Sequence, residues 1–275
     1  VQVGIDIGAQ TIKIGVKDKN GGYKIKTGIK TEPDFIKTAH NLKREIEKSF
    51  GRASLLIIGC FGPLDLTKKK IIKAPNLPGW AGVSFSDWEK ILGCPIILEN
   101  DANLAIFGET KVGAGKGYKI VAGFTLGSGV GYGCVIDGKI YHGNWDVEAG
   151  HMVLDPDGPV CGCGQKGCLE AYVSAGAIKR QFGKEPIYMK DERVWDFVAK
   201  KIAQGVQIIT VSVKPDVFVL CGGIAQHKGL LKRVKTHYLN MLKIYPKEAA
   251  ETKIMTGKYI EQAGVIGAIE LPMSS

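Results

Sequence analysis

The 275-residue chain contains no apolar run approaching the ~18 residues that cross a bilayer. Its longest, beginning at Leu55, is broken at Gly59 and Pro63, which predicts no membrane-spanning helix. The chain opens VQVGIDIG, a buried-strand pattern and not the basic, apolar and small-residue order of a secretory signal. It also lacks an even cysteine framework. There are seven cysteines, three of them between 161 and 168, which fits reduced thiols with a metal site and predicts a cytoplasmic protein. Compositional bias is absent: 45% hydrophobic, 23% charged, 37 Gly and 11 Pro exclude disorder, collagen and coiled coil. Two common phosphate motifs are missing too. A dinucleotide fingerprint starting at Gly127 needs glycine where Tyr132 stands, with a helix to follow, and Gly115-Lys116 is followed by Gly117, where a Walker A loop needs Ser or Thr.

Charge of one sign is present in excess, a formal net charge of +10, but it is mostly lysine spread along the chain. The only tight run, Lys68, Lys69 and Lys70 with Lys73 nearby, reads as a solvated loop, so no nucleic-acid partner is expected. A length nearly twice the usual ~150 residues per domain predicts one large domain or two lobes.

Patterning favours two lobes. Strands are predicted at 1–7, 11–16 and 23–29. A helix follows from Phe35, where Phe35, Ala39, Leu42, Ile46 and Phe50 recur at helical spacing. Next come a buried strand at 55–58, a Pro- and Gly-rich loop at 74–82, a short helix near 85–92, a strand at 95–98 and a helix starting near Asp101. The order resumes with strands at 120–126, 130–136 and 139–141, the last two joined by an Asp137-Gly138 turn. Helices are then expected near 169–182 and across Val194 to Val213, a buried strand at 217–220 ending in Cys221-Gly222-Gly223, and helices near 229–242 and 261–269. Two βββαβα halves around a central cleft resemble the duplicated actin-like/ribonuclease H-like ATPase fold, of α/β class. On this reading, residues 1–105 form a small N-terminal lobe that the C-terminal helix, 261–275, can complete. Residues 106–260 form the large lobe.

Three groups of residues carry chemistry. The turns at 6–11, containing Asp6, Gly8, Gln10 and Thr11, and at 126–133, containing Gly127, Ser128 and Gly129, each join two strands. Glycine lets backbone amides converge there on a phosphate, although either turn alone is also a plain hairpin. His151, Cys161, Cys163 and Cys168 form a Cys3His set of the kind that closes a tetrahedral Zn²⁺ site. Four protein ligands leave no open position, so the zinc is structural, and the second nitrogen of His151 remains available for a ligand. Cys60, Cys94, Cys134 and Cys221 sit in or beside apolar strands and read as core. Finally, Glu99-Asn100-Asp101-Ala102-Asn103 runs from a strand end into a helix, where α/β proteins place reactive groups. There Asp101 is a candidate base or, alternatively, a helix N-cap.

Asp6-x-Gly8, Glu99-Asn-Asp-Ala-Asn103, Gly127-Ser-Gly129-x-Gly131, Glu148-Ala-Gly-His151 and Cys161-Gly-Cys-Gly-x-x-Gly-Cys168-Leu-Glu170 together resemble, in this order, the ROK family of sugar kinases and sugar-responsive repressors, most closely its glucokinase branch. The resemblance covers essentially the whole chain. It implies an ATP-dependent hexose kinase forming a sugar 6-phosphate, with Asp101 as general base and Mg²⁺ beside Asp6. Kinases for N-acetylmannosamine, N-acetylglucosamine, allose or fructose are the neighbouring alternatives, and a non-catalytic sugar sensor is the alternative of another class. Gly62, Asn76, Asn100, Asp101, Glu148, His151 and Glu170 are implied sugar contacts. Asp6, Gly8, Gln10, Thr11, Lys13, Gly127, Ser128, Gly129, Gly222 and Gly223 are implied nucleotide contacts. A homo-oligomer, dimer or tetramer, is implied as well. The repressor branch carries a DNA-binding segment before the first Asp-x-Gly strand, for which Asp6 leaves no room in this sequence. Two positions depart from the family: Gln10 stands where Thr is usual, with Thr11 following, and Ser128 replaces a Thr while keeping its hydroxyl.

Overall fold

A computed structural model describes residues 1–74, 77–144, 146–242 and 252–272. The chain divides into two units, Val1–Gly108 with Asn144–Asp146 and Gln262–Ser275, and Glu109–Gly143 with Val147–Glu261.

The first unit is built on a five-stranded sheet of β1 (Gln2–Ile7), β2 (Thr11–Lys17), β3 (Tyr23–Lys30), β4 (Leu55–Cys60) and β7 (Ile96–Asn100), in the order β3-β2-β1-β4-β7. β1 and β2 pair antiparallel, whereas β4 and β7 run parallel to β1. Every residue of β4 is buried, as expected of a central parallel strand. Helix α1 (Phe35–Phe50) starts at Asp34, whose carboxylate accepts from the Lys37 amide, and buries Phe35, Thr38, Ala39, Leu42 and Ile46. Helix α2 (Ser86–Leu92) packs beside it. Phe35, Trp80, Phe85 and Trp88 meet edge-on or stacked with ring centroids 4.8–5.8 Å apart, each fully buried aromatic contributing roughly 1.5–3 kcal/mol. The indole N–H groups donate to the carbonyls of Glu32 and Phe35. Helix α3 (Asp101–Val112) follows β7 directly.

Helix α8 (Ala263–Glu270) packs on this sheet through glycines. A side-chain carbon at Gly267 would stand 1.8 Å from the Leu104 carbonyl, and one at Gly4 would meet the α8 backbone at 2.8 Å. These contacts bring α3 and β1 up to α8 at backbone range.

The second unit repeats the layout. β8 (Ile120–Leu126), β9 (Val130–Ile136), β10 (Lys139–Ile140), β11 (Val217–Cys221) and β12 (Lys253–Thr256) form a sheet of order β10-β9-β8-β11-β12. Its first two strands are again antiparallel and its last two parallel. Helices α4 (Leu169–Val173), α5 (Ala175–Phe182), α6 (Glu192–Val213) and α7 (Leu230–Met241) complete it. The core gathers Phe124, Trp195, Ile202, Phe218 and Tyr238.

The structure departs from the sequence reading in four places. The helix expected over 169–182 is two helices, because Ser174 is extended and its hydroxyl accepts from the Ala177 amide, capping a new start. Strand β12 and the small hairpin of β5 (Leu64–Asp65) with β6 (Lys70–Ile71) were not foreseen; each is too short to show a period. The lysine run is solvent-exposed at Lys68 and Lys70, as expected, but only partly loop: Lys68 and Lys69 lie in the hairpin turn, pairing with Asp65 at 3.5 Å and Glu89 at 2.6 Å, and Lys70 opens β6. No helix among the described residues is long and apolar enough to cross a membrane.

Candidate functional site

In the first unit, the ends of β1, β4 and β7 lie side by side, with Ile7 paired to Cys60 and Cys60 to Asn100. Parallel strands expose their carboxyl ends to ligands, and here they gather Asp6, Cys60 and Asp101. The fully buried Cys60 thiol is pushed up by burial and further by the nearby charges of Asp101 and Asp6. Asp6 faces Lys13 across the antiparallel pair, and the ammonium lies 2.9 Å from Oδ2. On its other side Asp6 abuts Gly264 in the first turn of α8, where a side-chain carbon would be 3.0 Å from the carboxyl. A helix start favours that negative group.

The turn of residues 8–10 is closed by the Gly8 amide donating to Thr11 O at 3.0 Å. Thr31 holds it from outside, its hydroxyl donating to Gly8 O and its amide to Gln10 O. One of the amides expected to face outward, that of Gly8, is therefore spent within the turn.

Asn100, not Asp101, is the cap of α3: its Oδ1 accepts from the Ala102 and Asn103 amides at 2.9 and 3.2 Å. Asp101 is the first helical residue, its Oδ1 accepting from the Ala102 amide at 2.8 Å. With its cap oxygen committed, Asn100 has its side-chain NH₂ to offer a ligand. Glu99, only 5% exposed, accepts from the Asn100 amide and the Asn103 side chain, bracing the segment. Gly62 follows β4 by two residues. Asn76 lies outside the described residues.

In the second unit, residues 127–129 close the corresponding hairpin, with the Gly127 amide donating to Gly129 O. Ala175 N, at the start of α5, donates to Gly127 O at 2.8 Å, and Val130 N donates to Glu170 Oε2 at 3.0 Å. Gly222, at φ +88°, presses on Leu126 so closely that a side-chain carbon would lie 2.4 Å from its carbonyl, and Gly223 beside it is exposed. Glu148, Gly150 and His151 form a short 3-10 turn, with Gly150 packed on the Val130 carbonyl. Burial raises the Glu148 carboxyl, Glu170 adding to the rise and His151 opposing it.

The ligand atoms of His151, Cys161, Cys163 and Cys168 lie within 4.8 Å of one another. His151 Nδ1 is 3.5 Å from Cys161 Sγ, and Cys163 Sγ is 3.7 Å from Cys168 Sγ. A tetrahedral zinc with Zn–S of ~2.3 Å and Zn–N of ~2.0 Å needs S–S and S–N edges of about 3.8 and 3.5 Å, so the donor set fits the ion in identity and in spacing. Burial pushes the Cys161 thiol up to about 12 and raises Cys168. For Cys163 burial is outweighed by hydrogen bonds from the Gln165 amide and the neighbouring thiols, and the shift is downward. Cys60, Cys94, Cys134 and Cys221 are buried, as expected of core residues.

Sequence reasoning missed Glu109. It is fully buried and accepts backbone amides from Ala114, Lys258 and Tyr259 at 2.7–2.9 Å, tying the end of α3 to the segment after β12. Its one signal was a carboxylate in the otherwise buried stretch 102–110.

The profile of the ROK family matches residues 2–274. A glucokinase of Thermotoga maritima is 28% identical over 98% of this chain and 96% of its own. A ROK hexokinase of Thermus thermophilus superimposes with a TM-score of 0.84 at 27% identity, covering 97% of this chain and 96% of that one. A ROK family glucokinase of Streptomyces griseus, solved with glucose and AMPPNP, superimposes with a TM-score of 0.82 at 25% identity over 98% of both chains.

Proposed function

This chain belongs to the ROK family and is an ATP-dependent sugar kinase, and from that premise we propose that it transfers the γ-phosphoryl group of ATP to the 6-hydroxyl of a hexose, as a glucokinase-like enzyme. The observation that carries this reading is that Asp101, the first residue of α3, stands at the same carboxyl end of the parallel strands as Asp6.

Asp101 takes the proton of the sugar hydroxyl as its oxygen attacks the γ-phosphorus; the bond from that phosphorus to the β-phosphate oxygen breaks and ADP leaves. The Ala102 amide on Oδ1 steadies the carboxylate. Phosphoryl transfer demands mainly positioning and charge neutralisation. Mg²⁺, when bound, neutralises charge on the phosphates, and Asp6 is the carboxylate suited to hold it. Lys13 supplies a cation beside Asp6. Gln10 and Thr11 in one turn, and Ser128 and Gly129 in the other, present amides and hydroxyls to the phosphates, while Gly8 and Gly127 let the backbone approach them closely. Gly222 and Gly223 leave a flat backbone for the adenosine.

Asn100, Glu148, His151 and Glu170, with Gly62 and Asn76, serve the hydroxyls of the sugar. His151, Cys161, Cys163 and Cys168 would hold a structural zinc, which would fix the His151 ring and leave its second nitrogen to serve the sugar. Glu170 Oε1 lies 3.5 Å from Cys161 Sγ, so a metal held by Cys161 would leave that oxygen to accept from a sugar hydroxyl. We place the enzyme in the cytoplasm.

Coupled ADP release with Mg-ATP and a panel of glucose, mannose, fructose, allose, N-acetylglucosamine and N-acetylmannosamine tests the reading. Turnover on glucose is expected. Turnover on another sugar alone corrects the substrate, and sugar binding without turnover supports a sensor.

A further inference from the structure

Glu170 is a sugar contact in the function proposed above, but the geometry gives it a second task on which that role does not depend. It stands in the first turn of α4, two residues after Cys168. Its Oε2 accepts from Val130 N at 3.0 Å, and a side-chain carbon at Gly129 would sit 2.8 Å from the same oxygen. The carboxylate is thus seated on the 127–130 turn. Among the described residues, the other contacts on this turn include backbone ones: Ala175 N on Gly127 O, Gly150 on Val130 O and Gly222 on Leu126 O. Glu170 is the side chain in this set, and it takes up the Val130 amide. A backbone N–H left without an acceptor is costly, so the Oε2 oxygen on Val130 N helps decide whether this glycine-rich turn keeps one shape.

We propose that Glu170 is a positioning residue for the phosphates, holding the turn of residues 127–130 in its anion-binding shape through Oε2 while Oε1 serves the sugar. The proposal rests on the reading of this turn as a phosphate site. It makes nucleotide affinity depend on a sugar-side residue even when no sugar is present.

The test is calorimetric binding of Mg-ADP and of adenosine to the zinc-loaded protein without sugar, for the parent, Glu170→Ala, Glu170→Asp and Glu170→Gln. Glu170→Ala is expected to weaken ADP about tenfold and leave adenosine unchanged, because adenosine has no phosphate to miss the turn. Glu170→Asp, whose carboxylate is one methylene short of Val130 N, should behave like the alanine variant and serves in its place if that variant fails to fold. Glu170→Gln keeps an acceptor oxygen and should retain parental ADP affinity. Hydrogen exchange at the Val130 amide should quicken in the aspartate variant and not in the glutamine one. Unchanged ADP affinity in Glu170→Ala and Glu170→Asp, equal losses for ADP and adenosine, or a glutamine variant as weak as the aspartate one would each overturn the proposal. A parent protein that binds no ADP would instead overturn the kinase reading on which it stands.

Discussion

Residues 8–10 and 127–129 close the same hairpin in two sheets of the same strand order, yet they are held by different means. The first is steadied by Thr31 from the neighbouring strand side and stands next to an ion pair, Asp6 with Lys13. The second has no charge in its own residues and is pressed by Gly150, Gly222, Ala175 and Glu170. The two sheets therefore share a strand plan and differ in what holds their first turn. One turn sits beside the carboxylates proposed to take part in the reaction, and the other is fixed by the elements proposed to read the sugar and hold zinc.

The division is broken most severely at the carboxylate side. Asp101→Asn should lower kcat by about 10²–10⁴-fold with sugar affinity unchanged, read by ADP release and calorimetry. Near-parental turnover would remove Asp101 as the base. On the other side, Cys163→Ser should release the metal and lower the melting temperature by roughly 5–10 °C, at ~2–4 °C per kcal/mol for a chain of this size. Full metal content with parental melting would refute the structural-zinc assignment.

Glycine replacements sharpen the comparison within the second turn. At Gly150 a side-chain carbon would stand 1.8 Å from Val130 O, so Gly150→Ala should cost about 1–3 kcal/mol in denaturant unfolding. Gly127 has nothing within 4 Å of such a carbon. Gly127→Ala should therefore leave stability within ~0.5 kcal/mol while raising KM for ATP, because the added methyl meets phosphate and not protein. A destabilised Gly127→Ala, or one with parental KM, would show that this turn is a plain hairpin.

The sheet strands and long helices were legible because their apolar residues repeat at periods of two or about 3.6 over many positions, as in α1, whose buried face is Phe35, Ala39, Leu42 and Ile46. The break at Ser174 was not, since the apolar positions of α4 and α5 give no sign of the single extended residue between them. At the site, motif residues were legible and their local duties were not. Asn100 as the cap, Thr31 on the first turn and the Glu170 carboxylate on Val130 N join residues through folding or through side-chain choices that no spacing encodes. Glu109, buried with three backbone amides, shows the same limit for a residue outside every motif.

The central claim is that this chain phosphorylates a hexose using Asp101, and the most direct measurement is ADP release from Mg-ATP with glucose, for the parent and Asp101→Asn side by side. Glucose-dependent release that collapses in the variant, with glucose still bound, is the predicted result. Release that is independent of glucose, or that survives the substitution, would contradict it.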